Sequence, residues 1–533
     1  MATALRELGT RGVKTSQKQA IPGRTDMVKN NAGGYTFQVS DMSRIRRFLI
    51  LGTEGGSYYQ SEMDLTRGNS ETLFNFVQSA SPEEQLSLIK EMIQISEQGR
   101  AVKANYVLFM LAMLMGESPY SAVRRYAGDI LPRIARIPTH LAIFINYVLQ
   151  FRGWGRILKR SVANWYLKKP TDTLAYQAIK YRNREGWTHR DILRLAKPVP
   201  PNDHTSELFA FMSGKEFSSR LLQDIPLLSG YLESQKLNDV ELNNSTEQKI
   251  CELIKEYGLT REMIPNQFLK SSLVWEALLE KMPFTAMVRN LANMSRVGLL
   301  VPGNYEVIEQ IRDTLISQEQ ITRSRIHPLN IMNASFKYAE GDGYTPVGQI
   351  VDALDTAFHL AFQNVEDLGQ RITVAVDASG SMTWGNPLSS AQVAGAIALV
   401  VARTQKRHTL MSFDHKIGEV TLTAKDTINS AGDKLNQRGG GTDCSLPFRA
   451  AWQNNIPTDL FVIITDNETW YGDQHPVQAL ESYRKETGIN AKLLVLSVTA
   501  TQSSICDSRD PLQLDIAGFD SAFPKIMEEF ARL

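Results

Sequence analysis

The sequence predicts a chain of two parts: an α-helical array of HEAT-like repeats over residues 1–364, then a doubly wound α/β domain over residues 365–533. Three observations carry that expectation. At 533 residues the chain is longer than one hydrophobic core usually supports. From Pro82 to Asn364 apolar residues recur at helical spacing and are broken at short intervals by Gly, Pro or Asn. After Gln370 the pattern changes to short apolar, β-rich runs separated by amphipathic segments.

Within the first part, helices are expected at EEQLSLIKEMIQIS from Glu83, HLAIFINYVLQF from His140, HRDILRLA from His189, FTAMVRNLANM from Phe284 and VGQIVDALDTAFHLAFQNV from Val347. They come in pairs with short connections, which is how a solenoid of stacked helix hairpins is written, although no exact sequence period is present. The longest apolar run, Ala104 to Gly116, is flanked by Lys103 and Glu117. It falls well short of the ~20 residues that span a bilayer, so it reads as a buried helix and no membrane is expected. Residues 1–20 mix charges from the start, lack the apolar centre of a signal peptide and read as a mobile tail. Cys251, Cys444 and Cys506 lie far apart with no CxxC pair, which excludes a disulfide framework and a cysteine zinc site and fits a reducing, cytoplasmic setting.

In the second part, ITVAVD, HTLMSF, DLFVIITD and KLLVLSV read as strands and SSAQVAGAIALVVART as an intervening helix. Strand, helix, strand implies a parallel sheet, apolar on both faces, whose ligands lie beyond the carboxyl ends of the strands. There the sequence places oxygen. Asp377, Ser379 and Ser381 follow the first strand in the turn DASGS, Asp466 ends DLFVIITD, and the glycine run RGGGTDC offers Thr442. Hydroxyls and carboxylates are hard ligands, and Mg²⁺ takes six oxygens while keeping several waters, so one divalent cation with an open position is expected. Taken singly, the same residues are polar turns and helix caps.

The five resemble, in order, the metal-ion-dependent adhesion site of von Willebrand factor A domains. The resemblance implies that Ser379, Ser381 and Thr442 contact the cation, that Asp377 and Asp466 act largely through water, and that an acidic group of a partner completes the shell. Asp443 is expected in a supporting position. Catalysis is not expected: a two-metal nuclease needs several carboxylates bridging ions ~4 Å apart, and Ser379 lacks the GxSxG elbow.

Net charge is only +1, which departs from a strongly basic nucleic-acid binder, but residues 117–200 hold 16 Lys and Arg against 5 Asp and Glu. The stretch Phe151–Pro198 interleaves those cations with Trp154, Trp165, Tyr166, Tyr181 and Trp187, the residue types used for phosphate contact and base stacking. The aromatics read equally as helix-packing core. Thr188 is expected to cap a helix, with His189 and Arg190 beside amides open to phosphate.

FLILGTEGGSYY from Phe48, KYRNREGWTHRDILRLAKP from Lys180 and KMPFTAMVRNLANMSRVG from Lys281 look like a TROVE module. GTEGGS lacks the Lys of a phosphate loop and reads as a turn. TROVE followed by an A domain, over nearly the whole chain, resembles the Ro 60-kilodalton autoantigen family. That resemblance implies a ring of HEAT-like helices closed by the A domain, small noncoding Y RNA on an outer basic surface, and 3′ ends of misfolded RNAs in a central hole. Carried onto this chain, it assigns Y RNA contacts to Lys168, Lys169, Lys180, Arg182, Arg184, His189 and Arg190, and the hole to Arg124, Arg125 and Arg133. The function so implied is a monomeric, non-enzymatic ribonucleoprotein scaffold for RNA quality control and stress survival, with a 3′-to-5′ exoribonuclease or other protein met through the A domain. Its rivals are a metal-dependent protein-adhesion scaffold with incidental RNA binding and a Mg²⁺-dependent RNA-processing enzyme.

Overall fold

Helical periodicity in the first part becomes helices wherever caps and apolar stripes agree. A computed structural model describes residues 14–52, 62–101, 103–361, 367–384, 389–423, 426–435, 439–517 and 523–532. Ser81 caps the helix Pro82–Gln98 in a capping box with Glu84, and Gly99 closes it in the left-handed region at φ 70°. The apolar run Ala104–Glu117 is a buried helix packed against Pro138–Phe151. Hairpin pairing recurs along the chain, as in Asn244–Tyr257 with Ser272–Leu279 and Pro328–Glu340 with Gly348–Leu360. The expected tail of the last helix, residues 362–365, and residues 53–59 of the GTEGGSYY stretch lie outside the described residues.

Two short strands precede the array, β1 (Met27–Lys29) and β2 (Tyr35–Gln38), and a two-stranded ribbon, β3 (Asn183–Arg184) with β4 (Trp187–Thr188), interrupts it. The second part is a six-stranded sheet of β5 (Ile372–Asp377), β6 (His408–Phe413), β7 (Ile417–Glu419), β8 (Leu460–Thr465), β9 (Lys492–Ser497) and β11 (Gln513–Ala517). Its order is β11-β9-β8-β5-β6-β7, so the chain reverses direction across the sheet between β5 and β8 and leaves a crevice beyond their carboxyl ends. β5 and β8 are buried along their whole length, as continuous apolar runs require. The sheet is mixed, not purely parallel. Only Asp414, His415 and Lys416 join β6 to β7, too few for a crossover, so β7 pairs antiparallel at the edge.

The expected mobile tail is corrected from residue 14 onward; residues 1–13 lie outside the described residues. β2 pairs antiparallel with β1 and with β10 (Ser503–Ser504) of the A domain, and Gln17 has no exposed surface. The array is fastened to the A domain at both ends. At the front, Arg47 in the helix Asp41–Leu51 is 1% exposed, donates to the carbonyls of Thr501 (2.7 Å) and Ser503 (3.0 Å), and pairs with Asp515. At the back, Arg403 of the A domain holds Asp355 of the last helix at 3.0 Å.

Candidate metal centre and cationic face

The three loops that carry the expected oxygen ligands do converge. Asp377 ends β5, its Oδ1 accepting from the Ser379 N–H at 2.9 Å and its Oδ2 from the Thr465 hydroxyl at 2.7 Å. The Ser379 and Ser381 hydroxyls lie 3.1 Å apart, and one oxygen of Asp466 accepts from the Glu468 N–H at 3.0 Å. Asp377, Ser379, Ser381, Thr442 and Asp466 are all buried. The glycine run is needed for closeness: a Cβ on Gly440 would lie 1.9 Å from His415 Nδ1, and one on Gly441 would lie 2.8 Å from the Trp470 ring.

The site fits a cation on two counts. The Thr442 hydroxyl is buried and has no hydrogen-bond partner among the described residues. Burial and the Asp466 carboxylate raise the Asp377 pKa, and burial raises that of Asp466, while neither forms an ion pair with a described Lys or Arg. Two buried carboxylates with an orphaned hydroxyl are what a bound cation relieves. Among the described residues no group of three His, Cys, Asp or Glu is placed to hold a metal, so a cation here depends on the three hydroxyls.

Two further carboxylates escaped the sequence reading. Glu468, 1% exposed, has its pKa raised by burial and by Asp466. Asp414, just past β6, accepts from the Gly440 N–H at 3.1 Å and the Lys416 N–H at 2.7 Å. Their position within three residues of a strand end was the available signal. Asp443 adjoins Thr442 and accepts from the Ser445 hydroxyl at 2.6 Å.

On the cationic face the structure disperses the nominated residues. Thr188 does cap the helix His189–Ala196, but as a capping box: the Asp191 carboxylate accepts from the Thr188 N–H, and a negative charge already occupies the helix start. The expectation of amides open to phosphate is corrected accordingly. So is the surface role of His189, which is buried, hydrogen-bonded through Nδ1 to the Tyr166 hydroxyl at 2.9 Å and pushed down to about 4 by desolvation. An imidazole there faces the helical core. Trp165 and Tyr166 are fully buried, so as stacking platforms they are corrected to core.

Other cations are engaged within the protein. Lys169 donates to the Arg136 carbonyl at 3.0 Å, lies 4.3 Å above the Trp165 ring and is pushed down to about 8 by burial. Lys180 meets the Tyr176 hydroxyl, Arg182 donates to the Tyr231 hydroxyl at 2.7 Å, and Arg184 lies over the Tyr181 ring. Arg124 turns in to the Ser118 carbonyl and Arg133 pairs with Glu97. Lys168, Arg125 and Arg190 are exposed. A groove of about 1010 Å³ opens beside Arg190, lined also by Arg194, Lys197 and Lys215, with Asp191 its one acidic residue. Arg194, Lys197 and Lys215 were not nominated. The sequence offered only their charge, and the fold brings Lys215 across from the turn that follows the next helix, Asp203–Met212.

A helical repeat array bound at both ends to an A-type α/β domain, with a hydroxyl-rich centre at the switch point of its sheet, defines the class of protein. The TROVE domain family matches residues 28–342, and the Ro60 vWA domain family matches residues 371–531. Proteins called RNA-binding protein RO60 from Caenorhabditis elegans and Deinococcus radiodurans are each 35% identical, over 97% and 95% of this chain and 92% and 95% of their own lengths. The crystal structure of the Deinococcus radiodurans RO (RSR) protein aligns with a TM-score of 0.69 at 34% identity, over 92% of this chain and 99% of that one. The chain belongs to the Ro60 family. No helix among the described residues is long and apolar enough to cross a membrane.

Proposed function

We propose that this chain is a non-enzymatic RNA-binding scaffold. Its helical array takes structured small noncoding RNA of the Y type on the cationic face and single-stranded 3′ ends of misfolded RNAs at a separate place within the array. Its A domain meets a protein partner, such as a 3′-to-5′ exoribonuclease, through one divalent cation, Mg²⁺ by preference. The setting is cytoplasmic RNA quality control and stress survival, and the working unit is a monomer.

The observation that carries the RNA reading is the groove of Arg190, Arg194, Lys197 and Lys215, which gathers four cations on the face where the sequence concentrates positive charge. The names of the relatives support the same reading. In the A domain, Ser379, Ser381 and Thr442 would hold the cation, with Asp377 and Asp466 behind them. When bound, the cation supplies an electrophilic position for an acidic group of a partner. The chain's own residues exclude bulk water and hold the hydroxyls in place.

Filter binding of a folded hairpin and of a tailed duplex across a salt series tests the RNA reading. Arg190→Ala with Arg194→Ala is expected to weaken the hairpin and flatten log K against log salt by about 2, while the 3′-tailed RNA is retained. Equal losses for both RNAs would sink the two-site form, and no loss for either would move the RNA elsewhere. The metal centre also favours a second reading, a protein-adhesion scaffold with incidental RNA binding. That reading requires RNA affinity that is purely electrostatic, equal for the folded hairpin and for an unrelated RNA of the same charge.

A further inference from the structure

Residues 14–38, among the first in the sequence, lie on the two loops that deliver Thr442 and Asp466. We propose that this segment is a positioning element of the metal centre, in which Gln17 and Asn31 hold both loops in register and thereby set cation affinity. The inference rests on the metal reading above.

Gln17 uses both ends of its amide. Nε2 donates to Asp443 Oδ1 at 2.6 Å and to the Gln474 carbonyl at 2.9 Å, while Oε1 accepts from the Thr469 hydroxyl. Asp443 adjoins Thr442, whose carbonyl accepts from the Trp470 and Tyr471 N–H groups at 3.1 and 2.9 Å. One buried side chain therefore ties the Thr442 loop to the loop after β8. The second grip is at Glu468. Asn31 Nδ2 donates to Oε1 at 2.6 Å and the Ala32 N–H to Oε2 at 3.0 Å, so both carboxylate oxygens are held from the segment. The Glu468 N–H in turn fixes one Asp466 oxygen.

The segment is seated tightly enough to transmit position. Asn30 Nδ2 donates to the Thr469 carbonyl at 2.7 Å, and a Cβ on Gly34 would lie 1.9 Å from that same oxygen. If these contacts served only to fasten the chain end, the β2–β10 pairing and the Arg24–Asp507 ion pair would already do so. The polar contacts of Gln17 and Asn31 fall instead on residues adjacent to, or bonded to, the ligands. The Thr442 hydroxyl has no hydrogen-bond partner among the described residues, so the loop backbone sets its place. Partners that orient ligands in this way typically change metal affinity 10–100-fold when removed, by the general behaviour of outer contacts at metal sites.

The test is calorimetric titration of the full chain with Mn²⁺ alone, beside hydrogen exchange of residues 440–445 and 466–472 without metal. Gln17→Ala and Asn31→Ala are each expected to weaken Mn²⁺ by about ten-fold or more and to speed exchange in both loops, leaving hairpin RNA affinity unchanged. Should Gln17→Ala fail to fold, Asn31→Ala decides on the same criterion. Unchanged Mn²⁺ affinity in a folded variant, with Asp377→Ala abolishing it, overturns the positioning role and leaves the metal centre standing. Absence of Mn²⁺ binding in the unmodified protein overturns both.

Discussion

The proposed metal centre and the cationic face are built on opposite terms. The centre gathers five buried residues from three loops at the carboxyl end of the sheet, and two of its carboxylates lack an ion-pair partner among the described residues. The cationic face spreads its charge, and most of its nominated residues are spent on carbonyls, hydroxyls and aromatic rings of the protein itself. A cation needs its ligands fixed before it arrives. A polyanion is met by exposed charges at many points, each individually dispensable.

The largest break in the comparison should come from Asp377→Ala. Loss of that carboxylate is expected to abolish divalent-ion binding while RNA affinity stays within two-fold, about 0.4 kcal/mol, as read by calorimetry and filter binding. Linked losses would show that the two regions are one site. Next is Trp165→Ala. A fully buried indole stacked edge-on against Tyr166 belongs to the core, and its removal should cost about 3–5 kcal/mol in denaturant unfolding. Weaker RNA binding at unchanged stability would return Trp165 to the RNA surface.

Acid should separate the regions by sign. His140, His189 and His327 are each held near about 4 by desolvation, against 6.5 for the exposed group. Below 6.5 the unfolded chain takes up protons that the folded array refuses. Stability present above that pH is therefore lost as pH falls from 6.5 toward 4, by about 2 kcal/mol per histidine at about pH 5. Asp377 and Asp466 are raised instead, so without metal they become easier to keep folded over the same fall. Thermal scans at stepped pH should show the array melting earlier in acid, and His189→Leu should reduce the slope. The smallest effect distinguishes two adjacent lysines. Lys168→Ala should leave stability within about 0.5 kcal/mol and flatten the RNA salt slope by about 1, whereas Lys169→Ala should destabilise by about 1 kcal/mol through its lost carbonyl and ring contacts.

Loops that follow strand ends leave an ordered motif, and so the gathering of the loops that carry Asp377, Ser379, Ser381, Thr442 and Asp466 beyond the sheet was legible in the sequence, whereas the cation they are proposed to hold is a matter for calorimetry. The helix His189–Ala196 was legible to the residue, because Thr188 writes a cap into the sequence, whereas the part Asp191 plays in closing that cap was not read. What the sequence could not settle is orientation across elements. Nothing local distinguishes His189 facing the core from Arg190 facing water, or places Lys215 opposite Arg194. The antiparallel β7 and the burial of Gln17 were illegible for the same reason: each depends on a partner far along the chain or on a connection too short to have a pattern of its own.

The attachment of residues 14–38 to the A domain also has a consequence in time. Gln17 and Asp443 are separated by 426 positions, so on the ribosome the segment is made long before the loops that receive it. At about 5–20 residues per second, the wait is roughly 20–90 seconds. Through that interval the buried amide of Gln17, the edge of β2 and the guanidinium of Arg47 lack their native partners, and the helical array must carry all three as open ends. Completion of the A domain is thus the event that makes the molecule whole, and a stalled or truncated chain exposes an unpaired strand edge to whatever holds nascent chains.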